Sequence, residues 1–139
     1  MRARFGELGG VTALTAVITL LIAIPILRAP SDRLFGMELV GRHHDPFTVM
    51  QQFTRPLSAS LGTQPLTGVT GGLLARAAGG VAAYNWLVLL SVPLAAAAAY
   101  LLARHLLLSP VAAAIVAAAF AFSPFHFAHA AYHPHIAQV

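Results

Sequence analysis

The chain has 139 residues, of which 58% are hydrophobic and 9% are charged, and its mean hydropathy is +0.77. Soluble domains carry about 25% charged residues, so this composition indicates a membrane protein. The net charge of +4 comes from eight scattered arginines against four acids, without a clustered basic stripe, which argues against nucleic-acid binding. Because cysteine is absent, disulfides, thiolate chemistry and cysteine-ligated zinc are excluded.

The first predicted element is a transmembrane helix over residues 10–27, a run without a charged side chain. At 1.5 Å per residue this run covers about 27 Å, close to the ~30 Å thickness of the hydrocarbon layer. A signal peptide is the alternative, because Arg2 and Arg4 precede the apolar run. We favour a retained span, since the run is long for a signal peptide and is followed by a poor cleavage site.

A long loop, residues 28–80, follows and contains the polar run "GRHHDPF" at 41–47. Apolar residues then recur at helical spacing and predict an amphipathic interfacial helix over about 46–57, with the apolar face formed by Phe47, Met50, Phe53 and Leu57. Asp45 falls at the N-cap of this helix and Pro46 at its first position, so capping alone suffices to explain the aspartate. A further short helix is predicted around residues 71–80.

Two more transmembrane helices are predicted, over residues 81–103 and about 110–129. Pro93 predicts a kink in the first of them. Ser109 is a candidate N-cap for the second, with Pro110 at its first helical position. The uninterrupted part of this last run ends near Ser123-Pro124, so it spans the membrane only if the helix continues with a kink.

The predicted fold class is all-α, an integral membrane bundle of about three transmembrane helices plus one interfacial helix. Arginines near the N-terminus favour a cytoplasmic N-terminus, which puts the 28–80 loop and the residues after Pro124 on the same outer face. The last two spans are rich in alanine, and small residues let membrane helices approach closely. Three helices offer few partners for so much small-residue surface, so we expect the chain to be a fragment of a larger multi-pass bundle.

Histidine is abundant, with seven in the chain and six of them in the two segments assigned to the outer face. His129 and His133 are spaced i, i+4, which suits two ligands of one divalent metal ion on a helix, and His126 with His129 is a second possible pair. The simpler explanation is that imidazole is an amphipathic group suited to a membrane interface. A non-catalytic small membrane protein, or a transporter fragment with a histidine-rich outer metal-binding face, is therefore one functional alternative.

The order of motifs resembles the amino-terminal region of bacterial GT-C-type polytopic glycosyltransferases. The pieces that carry the resemblance are Tyr84-Asn85, "AYLLAR" at 99–104 and "AFAFSPFHFAH" at 119–129. The resemblance implies transfer of a sugar from a polyprenyl-phosphate-linked donor on the extracytoplasmic face of the bacterial inner membrane. The isolated chain is expected to be inactive, because a lipid-linked donor needs more than three helices to enclose it.

The resemblance also implies an essential acid in the first outer loop, near the start of a short helix. Asp45 occupies that place and Glu38 is the second candidate, although the chain lacks a paired acid and has His43-His44 before Asp45. A carboxylate there would accept a proton from the acceptor hydroxyl or hold a divalent metal ion. The expected substrate-binding residues around the anionic donor are Arg42, Arg55, His44 and His126.

Overall fold

The computed structural model describes residues 2–31, 50, 53 and 65–127, and all regular secondary structure in these residues is helical. The elements are α1 (Arg2–Ile22), α2 (Ile24–Leu27), α3 (Pro65–Ala78), α4 (Gly80–His105) and α5 (Pro110–Ala121). The all-α prediction is thus confirmed. Within the described residues α4 is long and apolar enough to cross a membrane, whereas α5 and the apolar part of α1 are shorter.

Helix α4 is the element against which α1, α3 and α5 all pack. Helix α1 runs antiparallel to it, because Glu7 near the start of α1 contacts Tyr100 and Pro30 beyond its end contacts Asn85. Helix α5 returns along α4 after a short turn, so that His126 reaches Ser91. The starting half of α4 therefore lies beside the chain that leaves α1 and beside the chain that leaves α5.

Two apolar clusters follow one another along α4. The first, here called the Tyr84 cluster, joins α4 to Phe53 and is formed by Phe53, Ala83, Tyr84, Leu87 and Val88. The second, the alanine cluster, joins α4 to α5 and is formed by Val92, Ala96, Tyr100, Ala103, Ala113, Ala117 and Ala121. The three α5 alanines are spaced by four residues and completely buried, so one face of α5 approaches α4 without any large side chain between them.

Helix α1 buries small side chains and exposes large ones. Thr15, Thr19 and Ala23 are buried at successive turns, and both threonine hydroxyls donate to carbonyls of their own helix at 2.7–3.0 Å. On the opposite side Leu14 is 62% exposed and Leu21 is 60% exposed. The threonine hydroxyls are satisfied within the helix, so the contact with α4 needs no polar partner for them.

The turn between α4 and α5 is a Schellman motif with leucine in the position that glycine usually takes. The Leu108 amide donates to the Ala103 carbonyl at 3.1 Å, and the Leu107 amide donates to the Arg104 carbonyl at 3.3 Å. Leu107 adopts a φ of 65°, in the left-handed region that side chains other than glycine seldom occupy. The Arg104 guanidinium also donates to the Leu108 carbonyl at 2.6 Å, which fixes the turn further.

Helix α5 begins as the sequence predicts. The Ser109 hydroxyl accepts a hydrogen bond from the Ala112 amide at 3.3 Å, and Pro110 occupies the first helical position. The predicted cap is confirmed. Helix α4 continues through Pro93, and its bounds lie within two residues of the predicted 81–103.

Other helix ends differ from the predictions. The helix expected over 10–27 is interrupted at Ala23, and the one expected over 110–129 ends at Ala121 before a separate helical turn at 124–127. Pro124 explains the second break, because proline has no amide proton and disfavours the helical conformation in the residue before it. The short helix predicted around 71–80 exists but starts earlier, at Pro65, and ends at Ala78.

The predicted amphipathic helix over 46–57 lies outside the described residues apart from Met50 and Phe53. Both have helical backbone, and Met50 packs against the Tyr84 cluster that contains Phe53.

A single residue, Gly79, links α3 to α4 with a φ of 85°, which accounts for glycine at this position.

Substitution of Gly71 tests the packing of Phe53 on α3. A Cβ atom at Gly71 would overlap the Phe53 ring, whereas one at Gly10 would meet no atom within 4 Å. We expect Gly71→Ala to lower the free energy of unfolding by about 1–3 kcal/mol, because the ring must move out of a filled site. Thermal unfolding of the purified chain in detergent measures the effect. Gly10→Ala is the control and should be neutral or slightly stabilising; equal behaviour of the two variants would contradict the packing of Phe53.

Candidate functional site

Among the sequence-predicted site residues, His126 falls in the described part of the chain. The other seven lie outside it: Glu38, Arg42, His44, Asp45, Arg55, His129 and His133. The structure therefore gives the surroundings of His126 and the described segments nearest in sequence to the others.

His126 is held in a buried niche between α4 and the end of α5. Its side chain is 5% exposed, its Nε2 lies 3.4 Å from the Ser91 hydroxyl oxygen, and its ring centroid lies 6.2 Å from that of Phe120. Its backbone amide donates to the Ser123 hydroxyl at 3.1 Å. The break after α5 builds this niche, because Ser123 caps the turn at 124–127 and so turns His126 towards Ser91.

The hydrogen bonds of Ser91 indicate how His126 is protonated. The Ser91 hydroxyl lies 2.7 Å from the Val88 carbonyl, an acceptor that takes the hydroxyl proton. The serine oxygen is then an acceptor towards His126, which favours a proton on Nε2 of the imidazole. In this arrangement the imidazole does not draw a proton from Ser91, so the pair does not form an activated serine nucleophile.

The niche lies near the middle of α4. Ser91 is 11 residues from Gly80 and 14 from His105, the two ends of the helix. At 1.5 Å per residue, α4 is about 39 Å long and Ser91 lies about 16 Å from its start. An ionisable side chain is thus buried beside the centre of the longest apolar helix described.

Asn85 fixes the start of the 28–80 loop against the start of α4. Its side-chain amide donates to the Pro30 carbonyl at 2.8 Å, and the residue is 1% exposed. Phe53 belongs to the Tyr84 cluster on the same half of α4, and Met50 packs against that cluster. Pro30, Met50, Phe53 and His126 therefore all lie near the starting half of α4. In sequence, Pro30 and Met50 stand on either side of the segment that contains Asp45, and His126 precedes His129 and His133.

A second polar group, at the opposite end of α4, was not predicted from the sequence. The Tyr100 hydroxyl donates to Glu7 Oε2 at 2.8 Å, and Arg104 Nε lies 3.6 Å from the same oxygen. The sequence offers two signals for it: a single acid just before a long apolar run, and a tyrosine and an arginine at i, i+4 near the end of α4. Their contact depends on how far α1 is shifted along α4, and local sequence patterns do not give that shift.

Among the residues that the structure describes, no group of three or more histidine, aspartate or glutamate side chains could hold a metal ion. No family model, curated protein or solved structure shows significant similarity to the chain.

Removal of the bond between Tyr100 and Glu7 tests whether α1 is fixed to α4. We expect Tyr100→Phe and Glu7→Leu each to lower the melting temperature in detergent, and the double variant to lose less than the sum of the two, because each removes the same hydrogen bond. Arg76→Gln, on the exposed side of α3, is the control for a charge change away from this contact. Strictly additive losses would show that the two side chains do not interact.

Proposed function

We propose that the chain is a membrane-embedded helical bundle. Large apolar side chains are exposed along α1, α4 and α5, including Leu94 at 65% and Ile115 at 64%, whereas five of the seven residues of the alanine cluster between α4 and α5 are alanines. In water an apolar surface of this extent would favour aggregation, but in lipid it needs no cover. Small residues at the contacts are what close helix approach in lipid requires.

The proposed orientation has the N-terminus in the cytoplasm. Arg2 and Arg4 precede the apolar part of α1, and Arg104 closes α4 at the same end of the bundle, beside Glu7. Basic residues near the ends of spans favour the cytoplasmic side. Pro30 and the start of α4 then lie towards the extracytoplasmic side.

The function that we propose for this bundle is sugar transfer from a polyprenyl-phosphate-linked donor, with the chain forming the amino-terminal part of the enzyme. The supporting observation is that Pro30, Met50 and His126 all lie along the starting half of α4. Asp45 is five residues from Met50, and an extended chain of five residues spans at most about 18 Å. His129 is only two residues beyond Phe127. The segments that contain the proposed acid and histidines thus start from one side of the bundle.

In the proposed reaction Asp45 is the base for the acceptor hydroxyl or a ligand of a divalent metal ion, and Glu38 is the alternative acid. Arg42 and Arg55 would bind the donor phosphate, which guanidinium groups contact through paired hydrogen bonds. The proposed partners are membrane lipid, the lipid-linked donor, and further helices of a longer chain or of another subunit.

Substitution of Asp45 tests the enzymatic proposal. We expect Asp45→Asn, expressed from the native gene, to abolish sugar transfer from a polyprenyl-phosphate donor in membrane vesicles, because the amide cannot accept the proton. Protein abundance in the membrane should be unchanged, and Asp32→Asn, in the same loop, is the matched control. Full activity of Asp45→Asn together with loss in Glu38→Gln would transfer the role to Glu38. Full activity of both variants would refute the proposal.

A zinc titration separates this proposal from the metal-handling alternative. The alternative would be favoured if wild-type protein transferred no sugar but bound zinc stoichiometrically, with shifts of the histidine NMR resonances. The histidines would then form a metal-binding face.

The proposed orientation can be tested by cysteine labelling, since the chain contains no cysteine. Ser31 and Leu107 are exposed at opposite ends of the bundle. We expect Ser31→Cys to react with a membrane-impermeant maleimide added outside cells, and Leu107→Cys to react only after permeabilisation. The reverse pattern would invert the topology, and labelling of both sites in intact cells would contradict membrane embedding.

A further inference from the structure

A cleft of about 180 Å³ lies at the C-terminal end of α4, remote from the His126 niche. Its lining combines two basic, one aromatic and one aliphatic side chain: Arg104, His105, Tyr100 and Leu101. The cleft therefore offers hydrogen-bond donors beside apolar surface, a combination suited to an amphiphilic anion.

Arg104 has hydrogen-bonding capacity that the protein does not use. One terminal nitrogen donates to the Leu108 carbonyl, and Nε lies 3.6 Å from Glu7 without a hydrogen bond. A guanidinium has five N–H donors, so Glu7 and Leu108 hold the group in place while other donors remain available.

The surface around the cleft is leucine. Leu101, Leu106 and Leu107 are 53%, 65% and 89% exposed. Leu107 is also the residue with a left-handed φ, so the tip of the turn bears an aliphatic side chain where glycine would cost less. A leucine that is exposed and also adopts an unfavourable backbone conformation is explained if the turn between α4 and α5 contacts lipid.

We propose that this cleft binds the phosphodiester headgroup of an anionic phospholipid, with Arg104 and His105 donating to the phosphate and the leucines contacting the acyl chains. Glu7 balances the charge of Arg104, so the site offers hydrogen-bond donors without a large excess of positive charge and suits a singly charged phosphodiester better than a polyphosphate. Free phosphate would gain nothing from the leucines, which favours a lipid. The inference rests on the proposed membrane embedding and does not depend on sugar transfer.

Native mass spectrometry of the full chain in detergent tests the proposal, with phosphatidylglycerol and phosphatidylcholine of equal acyl chains as probes. We expect wild-type protein to retain phosphatidylglycerol in preference to phosphatidylcholine. Leu101→Glu places a carboxylate in the cleft and should weaken retention of the anionic lipid by about tenfold or more, equivalent to about 1.4 kcal/mol. Leu102→Glu is the matched control, because Leu102 is 59% exposed on the next position and does not line the cleft.

A second variant, Arg104→Gln, should also lose the preference for phosphatidylglycerol, with Arg76→Gln as its control. Circular dichroism checks that each variant keeps its helicity. Equal retention of the two lipids by wild-type protein, or equal losses in Leu101→Glu and Leu102→Glu, would overturn the proposal. Displacement of phosphatidylglycerol by inorganic phosphate would also overturn it, since the ligand would then be free phosphate.

The lipid measurement needs no sugar donor, so failure of the transferase proposal leaves its result unaffected. Failure of membrane embedding would instead be seen as a chain that stays in solution without detergent.

Discussion

The contact between α4 and α5 is made through alanine, and it determines where along α4 the turn at 124–127 and His126 lie. The two helices approach closely because Ala113, Ala117 and Ala121 present only methyl groups to α4. The turn fixes where α5 begins, through the Schellman hydrogen bonds and the Ser109 cap. With 12 residues, α5 extends about 18 Å back along α4, and its end therefore comes level with the middle of that helix.

The same reasoning applies to α1, which is held against α4 by polar contacts near its start and by buried small side chains further along. Glu7 accepts a hydrogen bond from Tyr100 and neutralises Arg104, while Thr15 and Thr19 lie buried further along. Removal of α1 would leave Arg104 without its counter-ion and would expose the α4 surface that α1 covers. In the proposed membrane arrangement, this pair lies at the edge of the apolar layer, where desolvation of the two charges costs least.

Local sequence patterns predicted the features that depend on neighbouring residues. The Ser109 cap, the extent of α4 and the all-α class follow from side chains a few positions apart, and hydropathy with capping chemistry suffices for them. The ends of α1 and α5 were predicted too far along, because apolar composition continues beyond the points where Ala23 and Pro124 interrupt the helix. Composition predicts where an apolar segment lies, but it does not predict where the helical hydrogen bonds within that segment are interrupted.

Partners distant in sequence could not be predicted in this way. Glu7 and Tyr100 are 93 positions apart, and Ser91 and His126 are 35 apart. Each pair depends on how far one helix is shifted along another, and the alanine-rich faces repeat every four residues, so several shifts are compatible with the same pattern. The order of two helices joined by a short turn is enough to bring the residues after α5 back along α4, but only the packed structure shows that His126 stops at Ser91.

The surroundings of His126 change how a role in substrate binding has to be understood. The imidazole is held by Ser91 and packed near Phe120, while the next residue, Phe127, stacks on Phe122 with ring centroids 6.1 Å apart. Both sides of the 124–127 turn are thus anchored. A side chain this buried offers little surface to a ligand, since direct contact would require the turn to leave α4. In the proposed enzyme we therefore propose that His126 acts as a positioning residue, which holds the turn against α4 and does not contact the donor itself.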